Sequence, residues 1–82
     1  MKLLEAIELI CDGGVIYPHK IPSSCQDEYD RMWLLHWVVI NGVLMESIMG
    51  NSRPTKYTQA LLLTNDFARD DFIVEKDGVL YD

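Results

Sequence analysis

The chain is 82 residues long with 49% hydrophobic residues, which excludes intrinsic disorder, and its 9.4 kDa allows only about 63% of the unfolded surface to be buried, enough for one small domain over 1–82. Thirteen acidic against seven basic side chains give a net charge of -6, the wrong sign for a general nucleic-acid binder that must neutralise many phosphates. No apolar run approaches the roughly 18 residues of a membrane span, and Glu5 and Glu8 come too early for a signal-peptide core, so a soluble, intracellular protein is expected.

Between Lys2 and Asp12, the residues Leu3, Leu4, Ile7, Ile10 and Cys11 recur at three- and four-residue spacing, with Glu5, Glu8 and Asp12 elsewhere on the wheel. That pattern predicts an amphipathic helix with Cys11 packed as a small apolar side chain. Gly13 and Gly14 supply the left-handed residue that closes it, and Val15, Ile16 and Tyr17 follow as a short strand that Pro18 ends. From Pro18 to Arg31 the polar, proline-containing sequence predicts a surface loop. A short helix is the alternative, because Ser24 with Asp27 three residues later resembles a capping box.

Trp33 to Met49 carries two strand-like runs joined by Asn41-Gly42, the dipeptide preferred in a two-residue type I′ hairpin turn. With Ile40 paired to Val43, one face holds Leu34, His36, Val38 and Ile40 beside Val43, Met45, Ser47 and Met49. The other holds Trp33, Leu35, Trp37 and Val39 beside Leu44, Glu46 and Ile48. Both faces are largely apolar, and one helix cannot cover both, so the uncovered face is expected to meet another subunit in a homo-oligomer.

After a loop from Gly50 to Lys56, Tyr57 to Leu63 reads as a buried strand, and Thr64 as the cap of a short helical turn. Phe72 to Glu75 and Val79 to Tyr81 read as a last strand pair around a Lys76-Asp77-Gly78 turn. The fold class predicted is α+β: an N-terminal helix packed on a small twisted antiparallel sheet, with a short second helix near the C-terminus.

Chemistry-bearing constellations are sparse. Cys11 and Cys25 have neither a Cys-x-x-Cys partner nor a suitably spaced histidine, which argues for reduced thiols and against metal binding. His36 lies in an apolar run, where a hydrogen-bonded structural role outweighs a catalytic one. His19, in a loop, suits ligand contact better. Asp27-Glu28 and Asp70-Asp71 are adjacent pairs suited to a solvated surface, no glycine-rich phosphate loop is present, and an enzyme is not expected. Residues 1–49 carry seven acids and three bases and residues 66–82 six acids and two bases, whereas residues 50–65 hold only Arg53 and Lys56. That acid-free segment is the best place for phosphate contacts, with a solvated basic turn as the even alternative. Trp33, Trp37, Tyr57 and Phe72 suit a core or subunit interface better than base stacking.

Two stretches resemble a known family. Leu4-Glu-Ala-Ile-Glu-Leu-Ile10 with Asp12-Gly-Gly-Val15, and Leu63-Thr-Asn-Asp-Phe-Ala-Arg-Asp-Asp-Phe-Ile-Val74, are similar to the opening and closing segments of the Thoeris anti-defence 2 family of phage proteins, about a third of the chain. The resemblance implies a homo-oligomeric sponge, a dimer or tetramer acting in the host cytoplasm, that sequesters a small cyclic nucleotide immune signal without cleaving it and without a cofactor. It places Tyr17, His19 and Lys20 where the family keeps a basic and an aromatic pocket residue, and Phe72 where it commonly has a Trp. The ligand-binding candidates are therefore Arg53, Lys56, His19, Lys20, Phe72 and Tyr17. The rival expectation is an acidic protein-binding phage inhibitor of a host defence or nucleic-acid enzyme.

Overall fold

A computed structural model describes residues 1–48 and 56–82. The described elements are α1 (Leu3–Ile10), β1 (Val15–Tyr17), α2 (Glu28–Arg31), β2 (Trp37–Ile40), β3 (Val43–Ile48), β4 (Lys56–Gln59), α3 (Thr64–Ala68), β5 (Ile73–Lys76) and β6 (Val79–Tyr81). The strands form one sheet in the order β4-β3-β2-β1-β5-β6, and every described pairing is antiparallel. The architecture is α+β, as the sequence predicts.

The sheet is built from short-range and long-range pairings of different origin. The β2–β3 hairpin has Ile40 opposite Val43, and Asn41 and Gly42 adopt φ of 52° and 77°, the double positive φ that a type I′ turn requires. Asp77 and Gly78 repeat this geometry between β5 and β6. The central strand β1 is only three residues long, yet it joins the two hairpins by pairing Ile16 with Trp37 on one side and with Val74 on the other. Its neighbours in space are thus distant in sequence, and the fold closes only when both hairpins find it.

Period-two alternation then decides what each face buries. On one face Ile16, Trp37 and Val74 meet Leu3, Ala6 and Ile10 of α1, with Phe72 beside them. The Trp37 and Phe72 rings lie 5.7 Å apart, and the indole nitrogen donates to Glu46 Oε1 at 3.0 Å, so its one polar atom is satisfied. Gly14 brings β1 close under α1: a Cβ there would stand 3.0 Å from Ile10 Cγ2 and 3.1 Å from the Glu75 carbonyl, with φ at +127°.

Several local expectations are corrected. α1 stops at Ile10, and Cys11 is exposed beyond its end instead of packed along it. The 18–31 segment does end in a helix, but its cap is Asp27, whose Oδ1 accepts from Asp30 N at 2.8 Å, and not Ser24. β2 begins at Trp37 because the chain leaving α2 is still turning, with Trp33 N bonded to the Asp30 carbonyl and Leu34 N to the Arg31 carbonyl. The expected buried strand over 57–63 is an edge strand ending at Gln59, and in the extended run that follows Leu61 is 81% exposed while Ala60 and Leu62 turn inward. Thr64 opens α3 without capping it. The Leu63 N–H is instead held by Asp66 Oδ2 at 2.8 Å.

Candidate functional site

The face of the sheet away from α1 holds a buried polar chain that the sequence does not announce. Alternation puts Tyr17, Glu75, His36, Ser47 and Tyr57 on this face. α2 lowers Arg31 onto it, and the guanidinium grips Glu75 with two parallel bonds, Nε to Oε1 and Nη2 to Oε2, both at 2.8 Å. The Tyr17 hydroxyl donates to the same Oε1 at 2.8 Å. Arg31 is 7% exposed and Glu75 5%, so this is a buried bidentate pair. The guanidinium holds the Glu75 carboxyl below its usual range, while burial, and then the adjoining carboxylate, push the Tyr17 hydroxyl well above its own.

Next along the face, the Tyr17 and His36 rings meet edge to face at 6.4 Å. His36 Nδ1 lies 2.8 Å from the Leu34 carbonyl, which can only accept, so Nδ1 carries the proton. In the neutral ring Nε2 therefore accepts from the Tyr57 hydroxyl at 2.9 Å. His36 N donates to Ser47 Oγ at 3.0 Å, and Ser47 N returns a bond to the His36 carbonyl. His36 is the structural histidine that its apolar context suggests.

The Arg31 Nη1 group also donates to the Gln26 carbonyl at 2.7 Å and reaches the Cys25 carbonyl at 3.4 Å. It thereby ties the 20–27 segment to the sheet and makes it one wall of a groove of about 400 Å³. Ile73, Leu80 and Tyr81 form the opposite side, with Lys20, Ser23, Gln26 and Asp82 around the rim. A second hollow of about 410 Å³ shares Lys20, Ile73 and Asp82 with the first and extends it past Asp70 and Asp71 to Met1. Lys20 stands where the two meet and makes no ion pair with a described residue.

The candidates named from the sequence separate. Lys20 lines the groove, and His19 is exposed beside it. Tyr17 is buried, with its hydroxyl committed to Glu75. Phe72 is 0% exposed, its ring held among Trp37 and the Arg69 guanidinium, whose carbon sits 4.5 Å from the ring centre. It is not open to a stacking base. Lys56 lies exposed on β4, three strands from β1 across the sheet and away from the groove. Arg53 and the rest of the acid-free loop up to Thr55 lie outside the described residues. Arg31, the groove residue that sequence reasoning passed over, carries no signal beyond being a lone base at the end of an acidic run, and its partner Glu75 is 44 positions away.

Arg69 has a related task at the other end of the segment. Its guanidinium bonds the Pro18 carbonyl and Asp71 Oδ1, the latter at 2.8 Å, and so fixes the point where the chain leaves β1 for the groove wall. Among the described residues no group of His, Cys, Asp and Glu is placed to hold a metal ion, and no helix is long and apolar enough to cross a membrane. Comparison of the chain with protein-family models, with curated proteins and with solved structures returns no match.

Proposed function

We propose that this protein is a phage anti-defence protein that binds a small cyclic nucleotide signal in the host cytoplasm and holds it uncleaved. The observation that carries the reading is the Lys20 groove. Its volume of about 400 Å³ is of the order that small-molecule sites have, its lining offers Ile73 and Leu80 to a base or sugar, and Lys20 offers one ammonium without an ion pair among the described residues to a phosphate. Its lining contains Ser23 and Cys25 but no imidazole, which favours retention of the ligand over hydrolysis. The resemblance of the two end segments to a family of nucleotide sponges supports the same reading. Of the residues named from sequence, Lys20 remains as the ligand contact at this groove.

A cyclic nucleotide incubated with the protein is expected to disappear from solution and to return intact after heat denaturation. Recovery of a cleaved product would identify an enzyme instead. Calorimetry across a panel of cyclic mononucleotides, cyclic dinucleotides and cyclic ADP-ribose isomers with no heat for any of them would sink the sponge reading.

The second reading, an acidic inhibitor that occupies a basic protein surface, is favoured by one observation: Asp70, Asp71 and Asp82 border the groove. In that case a basic protein partner, and no nucleotide, would protect the groove residues in hydrogen exchange.

A further inference from the structure

We infer that the free edge of β6 docks an extended protein segment, which joins the sheet antiparallel to β6 and sets an apolar side chain beside Leu80 and a basic one beside Asp77. This goes beyond the nucleotide reading and does not rest on it. The two edges of the sheet differ. β4 carries Lys56, Thr58 and Gln59, all exposed, polar residues of the kind that discourage a further strand. β6 is Val79, Leu80 and Tyr81, which are 49%, 46% and 43% exposed, and it has neither a charge nor a proline. Its turn fixes which backbone groups face outward. Lys76 and Val79 close the Asp77-Gly78 turn, so that pair and the Val74–Tyr81 pair exchange the ladder bonds with β5. Leu80 lies between them opposite Glu75, and its N–H and C=O point away from β5 with no described partner.

A donor and an acceptor on one strand residue recognise a peptide backbone, because one extended residue opposite Leu80 returns both bonds. Its side chain falls on the Leu80 side of the sheet, where Leu80 and Ile73 line the groove, and an aliphatic group there removes apolar surface from water. Charge selects the residue two positions further on. It stands opposite Gly78, next to Asp77, whose carboxylate makes no ion pair among the described residues, while the neighbouring Lys76 is held by Asp12 and the Leu9 carbonyl. A lysine or arginine suits that place. At the other end Asp82 and Lys20 both line the groove, so a neutral polar residue fits opposite Asp82. A second copy of the chain fits less well. Pairing Leu80 with its own counterpart would set Asp82 of each copy against the turn that holds Asp77 of the other, two like-charge approaches in a chain already at -6.

The test is calorimetry on the full chain with the end-capped peptide Asn-Val-Leu-Val-Lys and two relatives, one N-methylated at its leucine and one with Glu in place of Lys. The first peptide is expected to bind. N-methylation removes the donor to the Leu80 carbonyl and should weaken it about tenfold or more, and the Lys-to-Glu change should weaken it similarly. Asp77→Asn keeps a residue that tolerates the positive φ of the turn, and should erase the difference between the lysine and glutamate peptides. Leu80→Pro removes the outward N–H without touching a ladder bond to β5, and should abolish binding with the fold retained, as checked by tryptophan fluorescence. No binding of the first peptide, or equal binding of its N-methylated form, would overturn the docking edge whatever the variants do. An oligomer that Leu80→Pro dissolves would put a second copy on this edge and overturn it as well.

Discussion

Replacing Arg31 with Met removes the charge that keeps Glu75 ionised inside the protein while retaining an unbranched side chain of similar reach. The structure sets the scale. Glu75 would lose both guanidinium bonds and keep only the Tyr17 hydroxyl, and the Cys25 and Gln26 carbonyls would lose their shared donor. Breaking a buried pair by removing one partner typically costs about 3 to 5 kcal/mol. At about 0.05 to 0.15 kcal/mol per residue, the whole chain has roughly 4 to 12 kcal/mol to lose. Urea unfolding followed by the fluorescence of the core residue Trp37 should therefore show a midpoint far below that of the parent protein, with an unchanged slope. The pair also predicts a pH dependence whose sign is fixed. Arg31, through its hydrogen bonds above all, lowers the Glu75 carboxyl from its ordinary 4.5, so below that pH the unfolded chain binds more protons than the folded one. The stabilisation is present above about pH 4.5 and is lost as pH falls through the folded value. Glu75→Gln should flatten this acid loss, leaving the smaller slope due to Asp12 and Asp71, whose carboxyls Lys76 and Arg69 also lower. An Arg31→Met protein within about 1 kcal/mol of the parent, or an identical acid profile in Glu75→Gln, would refute the assignment of a stabilising buried pair.

Three further outcomes are expected. Gly14→Ala should destabilise clearly more than Gly13→Ala, by urea unfolding, because both have positive φ but only at Gly14 does a new Cβ meet atoms, 3.0 Å from Ile10 Cγ2 and 3.1 Å from the Glu75 carbonyl. Arg31→Met should speed tryptic cleavage after Lys20, since the segment it ties down is held by the Cys25 and Gln26 carbonyls; equal cleavage rates would mean that the wall of the groove stands without it. The hairpin leaves Ile40 and Val43 each 40% exposed on the face away from α1, the face that a second subunit would cover. Light scattering at micromolar concentration should give a dimer or tetramer that Ile40→Asp dissociates with its fold retained, and a 9.4 kDa particle throughout would end that expectation.

What the sequence determined here is local in origin. The spacing of Leu3, Ile7 and Ile10 dictates α1, and the positive φ demanded by Asn41-Gly42 sets the register of the β2–β3 hairpin and so divides Trp37 from His36 between the two faces. These features depend on contacts a few residues apart, and the residue types enforce them. The groove is different. β1 must lie between two hairpins to set Tyr17 beside Glu75, and α2 must fold back to bring Arg31 onto a carboxylate 44 positions later in the chain. The same packing takes Phe72, a ligand-binding candidate only through the family resemblance, and encloses it under Trp37 and Arg69, while leaving Lys20 on the groove lining. A lone base in an acidic run and an aromatic before a strand look alike whether they are buried or exposed, because one-dimensional spacing says nothing of which strands become neighbours. Only the tertiary structure, by pairing strands far apart in the chain, decided which charge was neutralised and which was left without an ion pair among the described residues.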